Sequence, residues 1–67
     1  MTKILVAKTQ TEGQRWIAEH PNAGVKHIVT RPDHLRGMRP TEVFYTLDAA
    51  FNRYFIQIED EIEARRA

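Results

Sequence analysis

The chain has 67 residues, with 10 Lys and Arg against 9 Asp and Glu, a net charge of +1 and no cysteine. At this length only about 60% of the unfolded surface is buried on folding, so a single domain with a small core is expected. The lack of cysteine excludes disulfides, thiol catalysis and zinc–thiolate sites and fits a reducing, cytoplasmic setting.

Ile4, Leu5, Val6 and Ala7 form an uninterrupted apolar run between Lys3 and Lys8, the pattern of a strand buried on both faces of a parallel sheet. The run is too short for a signal-peptide core. No stretch approaches the roughly 20 apolar residues of a membrane span, so a soluble protein without membrane contact is expected. Thr9 with Glu12, and Thr11 with Gln14, both have capping-box spacing, which places a helix start here. That helix offers Trp16 and Ile17 to a core and stops at His20, because a residue before proline is pushed out of helical geometry. Asn22, Ala23 and Gly24 supply turn chemistry. Residues 25–30, VKHIVT, read as a second strand from their β-branched content. A helix-bearing connection of this length makes it parallel to the first through a right-handed crossover.

Residues 31–37, RPDHLRG, predict a loop with one helical turn, capped by Asp33 and ended by Gly37. The third strand follows at 42–46, EVFYT. Its direction is open on length alone, since residues 31–41 are borderline for a parallel return. A parallel strand in the order 2-1-3 is preferred, because it centres the most apolar strand. From Asp48 to Arg66, Phe51, Tyr54, Phe55, Ile58 and Ile62 draw one stripe down a long α-helix. Asp48 is its N-cap, and Arg65 and Arg66 sit in its last turn. The chain is thus expected to be one α/β domain over residues 1–67, β-α-β-β-α, with a three-stranded parallel sheet and two main helices.

The run EVFYTLDAAF, an apolar strand passing into Asp48 and a helix, follows a strand, turn, helix and strand. This order resembles a trimmed half of a P-loop or helicase-type Rossmann-like domain. It is also similar to very small uncharacterised proteins encoded by bacteriophages. Residues 27–48, HIVTRPDHLRGMRPTEVFYTLD, match in shape the stretch leading to the acidic strand end of those ATPases, and Asp48 stands where they hold a metal-binding Asp. The resemblance is one of pattern over most of the chain, and the motifs depart from it. A P-loop needs GxxxxGK[ST] after the first strand, so that amides cradle phosphate and a Lys reaches it; residues 8–15 read KTQTEGQR. GxGxxG is also missing. Without a cradle Asp48 has no nucleotide to serve, and neither nucleotide hydrolysis nor a cofactor is expected.

Four groups of side chains could carry chemistry. Glu59, Asp60, Glu61 and Glu63 give two carboxylates on one helix face at most, a weak cation site. They read as a solvated helix back paired in part with Arg66. His20, His27 and His34 fall in three different elements and read as surface or capping residues, with no metal expected. The chain contains neither Ser nor Cys, and Asp33 beside His34 lacks a cleft, so no catalytic residue and no small-molecule substrate are expected. Lys26, Arg31, Arg36 and Arg39 put four cations against one acid in residues 25–41, beside a strand end. Arg suits phosphate through its planar fork, and His27, His34 and Tyr45 could stack on or bond to a nucleic acid.

The remaining pointer is geometric. The first strand is apolar toward both faces, and two helices sharing one face would leave the other bare unless the 31–41 loop or a second subunit covered it. Ile56, on the polar face of the long helix, and Tyr45 are the candidate interaction residues. The leading expectation is a non-catalytic accessory or regulatory protein, phage-encoded on the resemblance, that binds a second copy of itself or a host protein. The alternative is a nucleic-acid- or phosphate-binding protein using the basic loop of residues 26–39.

Overall fold

The computed structural model describes residues 2–66, with only the backbone of Arg66, so the expected pairing of that side chain lies outside the described part. The apolar run near the start forms the middle strand, β1 (Thr2–Val6), of a parallel sheet ordered β2-β1-β3. Its neighbours are β2 (His27–Val29) and β3 (Pro40–Tyr45). The register sets Leu5 beside Ile28 and Phe44, and Val6 beside Val29 and Tyr45. Direction and strand order are those the apolar pattern favours.

The first helix, α1 (Gln10–Glu19), is capped by Thr9, whose hydroxyl accepts from the Glu12 amide at 3.1 Å. Of the two possible cap boxes, the earlier one is used. Glu12 reaches back one residue past the cap, its carboxylate accepting the Lys8 amide at 2.9 Å. The helix ends before Pro21; a 3-10 turn (Pro21–Ala23) follows, and Gly24 at φ 73° takes the left-handed conformation that turns the chain toward β2.

Side chains alternate across a strand, so the two sheet faces need separate covers. Helix α1 lies on the Leu5, Ile28 and Phe44 face. Trp16 meets the Phe44 ring at 5.5 Å, and a Cβ on Gly13 would come within 2.6 Å of Ile28 Cγ2. The opposite face carries Ile4, Val6, Val29 and Val43. Leu35 from a 3-10 turn (Pro32–Leu35) packs there with Ile58 and Ile62 of the last helix, α2 (Phe55–Arg66). Ile4, Leu5, Val6 and Ala7 have no exposed surface. The expectation of a bare sheet face is therefore corrected: the two helices take opposite faces, and both sides of the middle strand are covered within one chain.

The long helix expected from Asp48 is also corrected. A 3-10 turn (Ala49–Phe51) comes first, Asn52 adopts an extended conformation, and α2 begins only at Phe55. Asp48 makes no side-chain cap bond. The cause is Asn52, which is 8% exposed. Its Nδ2 donates to the carbonyls of Ala7 at 2.8 Å and Thr30 at 2.9 Å, with Lys8 at 3.4 Å, while its Oδ1 accepts the Tyr54 amide at 2.7 Å. One side chain thus ties the ends of β1 and β2 to the start of α2, and the helix stripe restarts beyond it. Ile58 and Ile62 are buried as expected, whereas Phe51 loses its phase and is 73% exposed.

Candidate anion-binding pocket at the carboxyl edge

All three strands end on one side of the sheet. From β1 the chain crosses to β2 through α1 on one face, then returns past β1 to β3 over the other face. The topological switch point, where adjacent connections part, therefore lies between the ends of β1 and β3, and there Glu12, Thr46 and Asp48 line the hollows. On the other side of β1, between its end and that of β2, lies a pocket of about 380 Å³ lined by Lys8, Thr9, Thr30, Arg31, Phe51, Asn52, Arg53 and Tyr54. Two parts come from segments just past a strand, Lys8 and Thr9 after β1 and Thr30 and Arg31 after β2, and the third, residues 51–54, is the break before α2 that Asn52 holds.

The lining is electrostatically one-sided: three cations and no carboxylate. Asp33 Oδ1 lies 3.5 Å from Arg31 Nε, a contact between two exposed side chains that contributes little fixed energy. The Arg53 guanidinium sits 5.3 Å from the centroid of the Tyr54 ring, a cation–π contact between two residues of the lining. Phe51 presents an open ring.

The adjoining end of α1 is closed to anions. In phosphate-binding α/β folds, backbone amides after the first strand face the ligand. Here the Glu12 carboxylate accepts the Lys8 amide and, at 2.6 Å, the Thr46 hydroxyl, filling that place with the chain's own negative charge. Burial raises the Glu12 pKa, but hydrogen bonds from Thr46, from the Lys8 amide and from Asp48 outweigh it, and the group titrates below the ordinary glutamate range. An anion is thus directed to the Lys8, Arg31 and Arg53 side of the β1 end.

The structure separates the four cations of the basic loop. Arg31 lines the pocket at the carboxyl edge. Lys26 precedes β2, and Arg39 precedes β3, at the opposite, amino edge; Arg36 is exposed just after the Pro32–Leu35 turn. Tyr45 packs its ring 6.2 Å from Phe55 and donates its hydroxyl to Glu59 at 2.6 Å. Ile56 is 75% exposed on α2. The histidines act locally: His34 Nδ1 accepts the Thr30 amide at 3.1 Å, and His20 stacks on Trp16 at 4.1 Å. On the acidic face, Glu61 pairs with Arg65 at 3.1 Å. Among the described residues no three His, Asp or Glu side chains are grouped to hold a metal ion, and no helix is long and apolar enough to cross a membrane.

Sequence reasoning missed Lys8, Phe51 and Arg53. Lys8 was within reach, since it directly follows the central strand of a parallel sheet. Phe51 and Arg53 were not, because the helical stripe assigned Phe51 to the core and only the Asn52 break turns both toward the pocket. No protein-family model, curated protein or solved structure matches the chain.

Proposed function

We propose that this protein is a non-catalytic binding protein that holds phosphate groups of its ligand at the carboxyl edge of the sheet. The observation that carries this reading is the convergence of Lys8, Arg31 and Arg53 from three separate segments on one pocket that no carboxylate lines. The lining offers cations, hydroxyls and rings, but no paired acid and base. Phosphate recognition therefore moves from the whole 26–39 loop to Arg31 together with two cations distant in sequence. Titration of pyrophosphate into isotope-labelled protein tests it. Amide shifts should centre on residues 8–9, 30–31 and 51–54, and Lys8→Gln, Arg31→Gln and Arg53→Gln combined should abolish them. Shifts that survive the triple substitution refute the pocket.

A second reading is favoured by a different observation. Leu47, Phe51 and Ile56 are 95%, 73% and 75% exposed, a high share of large apolar side chains for so small a chain. Protein contacts, including self-association, use these residues in this reading, and not the sheet face. Sedimentation velocity across a concentration series tests it: a strict monomer, or an assembly unchanged by Leu47→Glu with Ile56→Glu, counts against it.

A further inference from the structure

We infer that the ligand of the carboxyl-edge pocket is a single-stranded nucleic acid, its phosphates on Lys8, Arg31 and Arg53 and an unpaired base stacked on Phe51; this rests on the phosphate-binding reading above. Single strands are held by a cationic track combined with rings on which bases stack, because every base offers a π-face. The pocket has both parts. A large ring 73% exposed to water is apolar surface left uncovered, and it lies in the same lining as the three cations. The Tyr54 ring already has Arg53 over it, so Phe51 is the open platform.

The surroundings select against other phosphate ligands. A free nucleotide bound by its phosphates needs a cradle of backbone amides, and Glu12 occupies the Lys8 amide where one would form. A duplex spreads its phosphates over two strands and needs a broad positive surface. Here the carboxylate-free lining is confined to one pocket with three cations; the neighbouring hollows bring in Glu12 and Asp48, beside Lys8 and Arg15, on one side and Asp60 and Glu61 on the other.

The test is fluorescence anisotropy with a short labelled single strand, the matching duplex and a labelled mononucleotide. The single strand should bind with log K falling against log salt at a slope of about −2, the value for three neutralised phosphates on a single strand. Each cation replaced by Gln should reduce that slope by about 0.7. Phe51→Ala should weaken binding by about 5- to 150-fold, the range for loss of one stacked base, and leave the slope unchanged. Phe51→Trp should retain binding, and the exposed position lets each variant be checked for an unaltered melting temperature. A mononucleotide or duplex bound as tightly as the single strand overturns the inference, as does indifference to Phe51→Ala. Pyrophosphate binding without strand binding overturns it and leaves the phosphate reading standing. Loss of both readings follows if neither probe binds.

Discussion

Replacing Asn52 with Ala removes the side chain that joins two strand ends to the last helix. Its Nδ2 bonds to Ala7 and Thr30 are short, and Ala7 is fully buried, so truncation strands carbonyls that water reaches poorly. Each unmet acceptor costs about 1–3 kcal/mol. The lost acceptor for the Tyr54 amide adds about 1 kcal/mol, as for a helix cap. The sum is about 3–7 kcal/mol, against a total stability of about 3–10 kcal/mol expected of a chain this size. Asn52→Ala should therefore be largely unfolded, or close to it, at room temperature. Urea unfolding followed by the fluorescence of Trp16, the single tryptophan, reads the difference directly. Asn52→Asp is the discriminating control, since it keeps an acceptor for Tyr54 but, ionised, has no proton to donate. It should destabilise as much as Asn52→Ala. A loss below about 1 kcal/mol for Ala, or wild-type stability for Asp, would refute the reasoning that the strand ends depend on this amide.

Other expectations follow from the same packing. Gly13→Ala brings a methyl to 2.6 Å from Ile28 Cγ2, so overpacking of about 1–3 kcal/mol should exceed the helix-propensity gain of about 1 kcal/mol; Ile28→Ala should relieve it in a double-mutant cycle of thermal melts. Leu5→Ala should cost about 2–5 kcal/mol by urea unfolding, since that residue has no exposed surface. Leu47→Glu, at a position 95% exposed, should stay within about 0.5 kcal/mol in the same assay. Glu12 titrates lower in the folded chain than in the unfolded chain, so its contribution is complete above the ordinary glutamate range. It is lost as pH falls through the folded value, and Glu12→Gln should flatten that acid limb of the stability profile.

The sheet was legible because its signals are local and redundant: an apolar run at 4–7, a cap box at Thr9, a proline stop at Pro21 and a β-branched run before Thr30. What could not be read was how one polar residue is spent. Asn52 looks like an ordinary position on the back of a helix. Its partners are the carbonyls of Ala7, Lys8 and Thr30, which no spacing within residues 48–66 reveals. That single long-range commitment breaks the helix, expels Phe51 from the core and assembles the pocket. Helix placement was hidden for a similar reason, since an all-apolar strand announces that both faces are covered but not by which element. The basic loop shows the complementary error: Lys26, Arg31, Arg36 and Arg39 are near in sequence but are dealt to different edges by the strands between them.

Ile4 lies beside His27 on one side and Val43 on the other, and no two adjacent strands are joined by a hairpin. Loop closure must therefore precede any ladder, which places the chain among slow folders for its length. During synthesis the first strand emerges long before either neighbour exists, and its greasy stretch waits unpaired until β2 has left the ribosome and paired on one edge only until β3 has followed. Such a nascent chain is most exposed to wrong pairing early in its life, and Lys3 and Lys8, flanking that stretch, are placed to keep copies apart by charge.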